Sequence, residues 1–221
     1  MSVFTIVPVK RLSETKKRLS VILNAEERRE FALAMLLDIL EAVSASHVDE
    51  TLLIGSDREV ERLSSDRGMM FLSDTGEKLN QVLEYATQWS LGEGAQSVLV
   101  LPADVPLVTS KDINGIVSLC SDSPSVGVSP SHAGGTNALM RNPPNVMPTY
   151  FGPESYNRHL DEASKLGIQA STFESQGLSL DIDLPRDLSL LFKLGEGTES
   201  QRFLRSNEIH ERITKDTLQD S

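Results

Sequence analysis

The chain is poor in cysteine and has no long hydrophobic run: Cys120 is the only cysteine among its 221 residues. A single cysteine excludes a disulfide framework and a thiolate metal cluster, and it fits a reducing compartment. The apolar run near the N-terminus, residues 3–9, follows no basic region, and no later segment reaches the roughly 20 apolar residues that a membrane-spanning helix needs. We therefore expect a cytoplasmic protein that has no membrane partner.

Positive charge is also scarce, because 21 Lys and Arg residues face 32 Asp and Glu residues and leave a net charge of −11. Such a balance disfavours nucleic acid as a partner. Five basic residues nevertheless fall between Lys10 and Arg18, where the only acid is Glu14. This basic segment, residues 10–18, indicates a small polyanionic ligand, and a solvated surface loop is the alternative.

The common signatures of nucleophilic and nucleotide-binding sites are missing from the sequence. None of the histidines lies at metal-ligand spacing, and Gly-x-Ser-x-Gly, Walker-type and Gly-x-Gly-x-x-Gly motifs are absent. The sequence therefore gives no support to a serine or cysteine nucleophile. The residues left for chemistry are strand-end carboxylates, the basic segment and glycine-containing loops.

Hydrophobic periodicity predicts strands and helices in alternation. Strands are expected at residues 2–9, 51–57, 69–72, 98–101, 125–130, 137–140, 168–173 and 178–183. The first helix is expected to begin with Asn24 and Glu27 as a capping box. The βαβαβαβ order of the first half predicts an α/β fold, a three-layer α/β/α sandwich with a mainly parallel sheet. The segment 125–145 is expected to fold over the sheet edge, with irregular structure from Arg141.

A single domain is expected for residues 1–194, because this length suits one mid-sized α/β unit. From Gly195 onward the chain is polar with a few scattered apolar residues. We expect residues 195–221 to form a tail that is either mobile or docked at a homodimer interface. The apolar residues that favour a homodimer are Phe203, Leu204, Ile209 and Ile213.

Three aspartates are candidates for metal binding. Asp104 follows a buried strand between Pro102 and Pro106, which stiffen the carboxyl end of that strand, where ligands of open α/β sheets bind. Asp181 and Asp183 lie two apart on a predicted strand, so both point to one face. Mg²⁺ relieves the repulsion between carboxylates crowded in this way, and Asp104 joins them if the strands are neighbours. A turn or a helix cap is the alternative for each.

Two glycine-containing segments have the composition of anion sites. Residues 133–137, which include Thr136, resemble an anion nest, although a hairpin turn explains the same residues. Residues 151–155 place Gly152 and Ser155 at a predicted helix start, where a hydroxyl and an amide can bind an anion. Together with the basic segment and the aspartates, they indicate metal-assisted chemistry on phosphates.

Five motifs occur in order along the chain. They span residues 7–10 with 16–19, 101–107, 135–139, 151–156 with 158–159, and 181–188. Together these motifs resemble the 2-phospho-L-lactate guanylyltransferase family of coenzyme F-420 biosynthesis. That family is a nucleotide-diphospho-sugar transferase-like, Rossmann-like branch of the nucleotidyltransferase fold, which also includes the molybdenum-cofactor guanylyltransferases. The resemblance runs from Ile6 to about Leu188.

The resemblance implies transfer of GMP from GTP to the phosphate of 2-phospho-L-lactate, with release of pyrophosphate. Phosphoenolpyruvate or another phosphorylated carboxylic acid is the alternative acceptor, and the resemblance also implies a homodimer. A relative of the same fold that uses another acceptor or nucleotide, and a noncatalytic GTP-binding module, are the competing hypotheses.

The resemblance also implies roles for ten residues. Mg²⁺ would be held by Asp104, Asp181 and Asp183. The nucleotide would be bound by Lys10, Lys16, Arg18 and Asn80. The phosphate or carboxylate of the acceptor would be held by Thr136, Gly152 and Ser155. Catalysis would rest on Asp104, Lys16 and Arg18.

Overall fold

One seven-stranded sheet organises the protein, which a computed structural model describes over residues 2–74, 76 and 78–217. Its strands are β1 Val3–Val9, β2 Glu50–Gly55, β3 Met70–Ser73, β4 Ser97–Val100, β5 Ser125–Pro130, β6 Thr136–Asn142 and β7 Gln169–Thr172. They lie in the order β3-β2-β1-β4-β6-β5-β7. Strand β6 runs antiparallel to both of its neighbours and the other pairs are parallel, which confirms the predicted mainly parallel sheet.

Helices cover both faces of this sheet and give it three layers. The helices are α1 Ala25–Ser44, α2 Arg58–Asp66, α3 Leu79–Gly92, α4 Ser110–Ser118, α5 Ser155–Lys165, α6 Gln176–Ser179, α7 Pro185–Leu194, α8 Glu199–Ser206 and α9 Ile209–Thr217. Because successive strand residues point to opposite faces, Ile6 packs in a buried cluster with α3 while Val7 packs in another with α1. No helix in the described ranges combines the length and apolar character needed to cross a membrane.

Helix α1 begins as the sequence predicts. The Asn24 side chain accepts a hydrogen bond from the Glu27 N–H at 3.0 Å, and the Glu27 carboxylate accepts one from the Asn24 N–H at 2.7 Å. This capping box satisfies amides that a helix start leaves unpaired. The predicted apolar stripe of the helix is core, because Phe31, Met35 and Ile39 are fully buried.

The chain beyond residue 194 packs on its own domain. The ring of Phe203 lies 5.8 Å from the ring of Phe31 on α1, and Leu204 and Ile209 are fully buried. Asp38 of α1 accepts hydrogen bonds from backbone amides at the start of α8 at 2.6 and 2.9 Å. The described part of that segment is thus docked on α1 of the same chain, and its place at a homodimer interface stays a prediction. Residues 218–221 lie outside the described residues.

Strand β6 departs from the expected architecture, because it lies inside the sheet between β4 and β5 and continues to Asn142. The expectation that this region folds over the sheet edge is wrong. Irregular structure is predicted from Arg141 and Asn142 onward, yet both residues lie in the strand and make hydrogen bonds in the core. Arg141 is fully buried and donates to Thr87 at 2.6 Å and to the Met147 carbonyl at 2.9 Å, and Asn142 donates to the Cys120 carbonyl at 2.8 Å.

The predicted strand at residues 178–183 is also wrong. Residues 176–179 form the short helix α6, and residues 180–183 lie outside the sheet. A Ser175 side chain that accepts from the Leu178 N–H favours the helical turn. The segment that follows is held at the sheet by one backbone hydrogen bond, from the Ile182 N–H to the Asp104 carbonyl at 3.0 Å. That bond brings the paired aspartates next to Asp104 without a shared strand.

The position of α6 depends on Gly177. A Cβ atom there would lie 2.4 Å from the Leu107 carbonyl oxygen, and backbone cannot move aside cheaply. We expect Gly177→Ala to lower the free energy of unfolding by about 1–3 kcal/mol, measured by urea denaturation. Gly92→Ala is the matched control, since a Cβ atom at Gly92 meets nothing within 4 Å. Equal stability of the two variants would show that α6 tolerates displacement.

Candidate active site

A cavity of about 530 Å³ opens at the carboxyl ends of β1 and β4. All but one of the ten residues singled out from the sequence line it: Lys10, Lys16, Arg18, Asp104, Thr136, Gly152, Ser155, Asp181 and Asp183. The exception is Asn80. The sheet topology explains the convergence, because β1 and β4 are parallel neighbours and end together, while the reversed strand β6 begins at the same edge.

The ammonium group of Lys16 lies between two of the aspartates. Its Nζ atom is 3.0 Å from Asp104 Oδ2 and 2.8 Å from Asp183 Oδ1. The Lys16 side chain is only 6% exposed, whereas the carboxylates are 31% and 46% exposed. The basic segment thus contributes one buried cation to the carboxylates, while Lys10 and Arg18 are exposed residues of the cavity wall.

These contacts shift the pKa values of the groups involved. Burial opposes the charge on Lys16, but the charges and hydrogen bonds of Asp104 and Asp183 outweigh it and raise the pKa of the lysine. Burial also opposes the charge on Asp183, and the Lys16 ammonium, with help from Arg18 and Lys10, lowers the pKa of that carboxyl. Asp183 is therefore held ionised.

Asp181 is in a different environment. Burial raises the pKa of its carboxyl, and the negative charges of Asp104 and Asp183 raise it further against a hydrogen bond from Asn137. That bond, from the Asn137 amide to Asp181 Oδ1, is 3.3 Å long, and the same amide donates to the Leu178 carbonyl at 2.8 Å. Added positive charge at this position would stabilise the ionised form of Asp181.

Two residues outside the predicted metal, nucleotide and acceptor ligands hold the paired aspartates in place. Asn137, at the start of β6, contacts Asp181 as described. Asp187 accepts hydrogen bonds from the backbone amides of Asp183 and Leu184 at 3.0 and 2.7 Å, which caps α7 and fixes the backbone at Asp183. Pro185 followed by an acid in the first helical turn is the sequence signal for this cap.

The donor set suits Mg²⁺ by its chemistry, because Asp104, Asp181 and Asp183 all offer hard carboxylate oxygens. The three side chains are not arranged as a metal-binding cluster in this structure. Over the described ranges no three His, Cys, Asp or Glu side chains form a group that could hold a metal ion, and the Lys16 ammonium lies between two of the candidates. Mg²⁺ at these residues stays a prediction.

Two residues that line the cavity, Thr136 and Ser155, form a chain of hydrogen bonds with His159. Ser155 Oγ lies 3.1 Å from Thr136 Oγ1, which lies 3.0 Å from Nδ1 of His159. His159 Nε2 accepts a hydrogen bond from the Tyr150 N–H at 2.9 Å. The sequence analysis assigned no role to His159. The signal for it is the i, i+4 spacing from Ser155, which puts both residues on one face of α5.

The backbone amides predicted to bind an anion are used inside the fold. The Gly135 N–H donates to Ser131 Oγ at 2.9 Å, and the loop joins β5 to β6 as a hairpin, which confirms the alternative interpretation. The Ser155 N–H donates to the Gly152 carbonyl at 3.2 Å. Thr136 and Ser155 therefore offer their hydroxyl groups to the cavity.

The side chain of Asn80 binds the backbone of Phe151. Its side-chain amide donates to the Phe151 carbonyl at 3.0 Å, and its side-chain oxygen accepts from the Phe151 N–H at 2.7 Å. Both ends of the carboxamide are thus occupied by one residue of the chain. Asn80 thus holds the backbone that leads into Gly152, and its contact with a nucleotide stays a prediction.

Burial of His159 predicts an acid-sensitive fold. Burial, reinforced by the charges of Arg141 and Arg158, lowers the pKa of His159 from 6.5 to about 4. Between these values the unfolded chain binds a proton that the folded chain does not, so acidification favours unfolding. We expect the stability advantage of the wild type over His159→Gln to shrink by about 3 kcal/mol from neutral pH to about pH 4, measured by urea denaturation. A pH-independent difference would contradict this.

Comparisons with known proteins find guanylyltransferases among the relatives of this chain. A family model described as guanylyl transferase CofC like matches residues 3–218. A phosphoenolpyruvate guanylyltransferase of Thermobaculum terrenum is 34% identical over 189 residues, which cover 85% of this chain and 82% of the relative. A 2-phospho-L-lactate guanylyltransferase of Methanothermobacter thermautotrophicus is 35% identical over 206 residues, covering 93% and 91%.

Solved structures show the same fold. The crystal structure of a proposed nucleotide-diphospho-sugar transferase from Desulfovibrio desulfuricans G20 superposes with a TM-score of 0.80 at 16% identity. The match covers 96% of this chain and 98% of that one. The predicted nucleotide-diphospho-sugar transferase-like architecture is therefore confirmed.

Proposed function

The chain belongs to the guanylyl transferase family described as CofC like, and from that membership we propose that it transfers GMP from GTP to the phosphate of 2-phospho-L-lactate. The products are lactyl-2-diphospho-5'-guanosine and pyrophosphate, in coenzyme F-420 biosynthesis. The observation that carries this proposal is that one cavity is lined by carboxylates, by cations and by the hydroxyl-bearing residues Thr136 and Ser155. Phosphoenolpyruvate is the second candidate acceptor, because a relative of comparable identity is named for it.

The acceptor substrate needs little activation by a general base. A phosphate monoester has a second pKa near ~6, so its oxygen is largely ionised at neutral pH and is already a nucleophile. This agrees with the cavity wall, to which no histidine of the described ranges contributes. The main task of the protein is to bring two polyanions together and align the acceptor oxygen with the α-phosphorus of GTP.

The cations of the basic segment supply the electrostatic part of this task. We assign Lys10 and Arg18 to the triphosphate, because both are exposed on the cavity wall. Lys16 is assigned to the leaving pyrophosphate, together with Arg18. To reach it, the Lys16 ammonium must turn away from Asp104 and Asp183, which hold it at 3.0 and 2.8 Å.

Asp104, Asp181 and Asp183 are the residues that would hold Mg²⁺. When bound, the metal ion would neutralise phosphate charge and help orient the reacting groups. Gly152, with the hydroxyls of Thr136 and Ser155, would hold the phosphate or carboxylate of the acceptor. The homodimer and the cytoplasmic location implied by the family and the sequence stay predictions.

One assay tests the proposal against its rivals. The purified chain is incubated with GTP, Mg²⁺ and separate phosphorylated acceptors, namely 2-phospho-L-lactate, phosphoenolpyruvate and a sugar phosphate, and pyrophosphate release and product mass are measured. We expect release with 2-phospho-L-lactate and a product with the mass of the guanosine diphosphate conjugate. Turnover with phosphoenolpyruvate alone would select the second candidate. Turnover with the sugar phosphate alone, or GTP binding without release, would refute the proposal.

A further inference from the structure

The hydrogen-bond chain behind the cavity wall has a defined direction. His159 is fully buried, and its Nε2 atom faces the Tyr150 N–H at 2.9 Å. Because a backbone N–H can only donate, Nε2 must be the unprotonated nitrogen of the ring. The neutral imidazole then carries its proton on Nδ1 and donates it to Thr136 Oγ1 at 3.0 Å.

The ring cannot easily turn to reverse this direction. The Phe151 ring meets the imidazole edge-on, with centroids 5.4 Å apart and planes at 70°, and the Tyr150 ring lies 6.1 Å away. Burial lowers the pKa of His159 to about 4, so the imidazole stays neutral at physiological pH. A neutral ring of fixed orientation leaves one donor pointing at Thr136.

The number of protons on the Thr136 and Ser155 hydroxyls determines which hydrogen-bonding group faces a ligand in the cavity. The Thr136 oxygen has two lone pairs, of which one accepts from His159 and the other accepts from Ser155 at 3.1 Å. The Thr136 proton is left for a third partner, and Thr136 lines the cavity. If the two hydroxyls exchange roles, the Ser155 proton is left instead. With the opposite tautomer, His159 would take up a proton of the pair and the wall would offer only lone pairs.

We propose that His159 is a positioning residue that makes the Thr136–Ser155 hydroxyl pair present a hydrogen-bond donor to an anionic acceptor. A hydrogen-bond donor at this position binds a phosphate or carboxylate oxygen in preference to a group that can only donate a hydrogen bond. This role of His159 rests on the proposed function in taking the acceptor acid to be the anion that this wall binds. His159 does not touch the substrate.

Two substitutions separate the two ring nitrogens. His159→Asn keeps a donor near the Nδ1 position, while His159→Gln keeps an acceptor near Nε2 for the Tyr150 N–H. We expect His159→Gln to raise the KM for the acceptor about 10- to 100-fold, the effect of losing one hydrogen bond to a charged group. We expect His159→Asn to stay close to the wild type in that KM, and both variants to keep the KM for GTP. Equal effects of the two variants, or a parallel change for GTP, would overturn the proposal.

A measurement on the wild type does not depend on the folding of any variant. In the ¹⁵N-histidine-labelled full chain, long-range ¹H–¹⁵N correlations distinguish the two neutral tautomers and the imidazolium. We expect one histidine in the Nδ1–H form at neutral pH, assigned to His159 by its contacts to Tyr150. An Nε2–H tautomer or an imidazolium would refute the proposal. Absence of pyrophosphate release from the wild type with every acceptor would instead refute the proposed function and leave the tautomer result standing.

Discussion

Replacing Asp104 by Asn is expected to lower the rate of pyrophosphate release by about 10³-fold, because it removes a charge at the point where two carboxylates and a buried ammonium meet. The carboxylate lies in a turn after β4 and is partly exposed, so the isosteric amide should leave the fold intact. The rate is measured at saturating GTP and acceptor, and folding is checked by circular dichroism.

Asp66→Asn is the matched control for this variant. It makes the same chemical change at an exposed residue that ends α2 and does not line the cavity. Its rate should equal that of the wild type. Near-normal turnover of Asp104→Asn would remove Asp104 from the catalytic assignment, whatever the outcome at the other aspartates.

The second large effect is expected for Lys16→Met. Methionine fills the buried path of the lysine side chain but leaves Asp104 and Asp183 without the ammonium that lies 3.0 and 2.8 Å from them. We expect turnover to fall about 100-fold, because both the carboxylates and the leaving group lose a positive charge in a partly buried site. The measurement is again pyrophosphate release under saturating substrates.

Lys17→Met supplies the matched control, since it removes the same charge from the next residue. Lys17 also lines the cavity but is exposed to solvent, where a charge contributes less. Its effect should stay within a few-fold of the wild type. Equal losses in the two variants would mean that only the total charge of the basic segment matters, and the buried position of Lys16 would then have no special role.

Local patterns predict most of the residues that line the cavity. An apolar strand and two prolines flank Asp104, so its neighbours in sequence are enough to single it out. The spacing of Asp181 and Asp183 predicts one face of a strand. The strand is wrong, yet the residues line the cavity, because Ile182 is fully buried and donates its N–H to the Asp104 carbonyl. The i, i+2 spacing thus predicts that both aspartates face the same region, but it does not predict the backbone structure that places them there.

The features that sequence reasoning missed depend on distant partners. Nothing near Lys16 indicates that its ammonium contacts carboxylates 88 and 167 residues away. The central position of β6 was also missed, because a buried arginine in a strand is acceptable only when partners from other elements satisfy it. Here Thr87 of α3 and the Met147 carbonyl accept hydrogen bonds from Arg141. Tertiary pairing of this kind is decided by the assembled fold.

The reversal of β6 has a consequence for how this cavity can be re-engineered. Because that strand starts where its neighbours end, the residues proposed to bind the acceptor, together with His159, come from one uninterrupted stretch, from Thr136 to His159. The basic segment and Asp104 come from earlier parts of the chain. Under the proposed function, we expect exchange of that stretch between two relatives to transfer the choice of acceptor and to leave GTP binding unchanged.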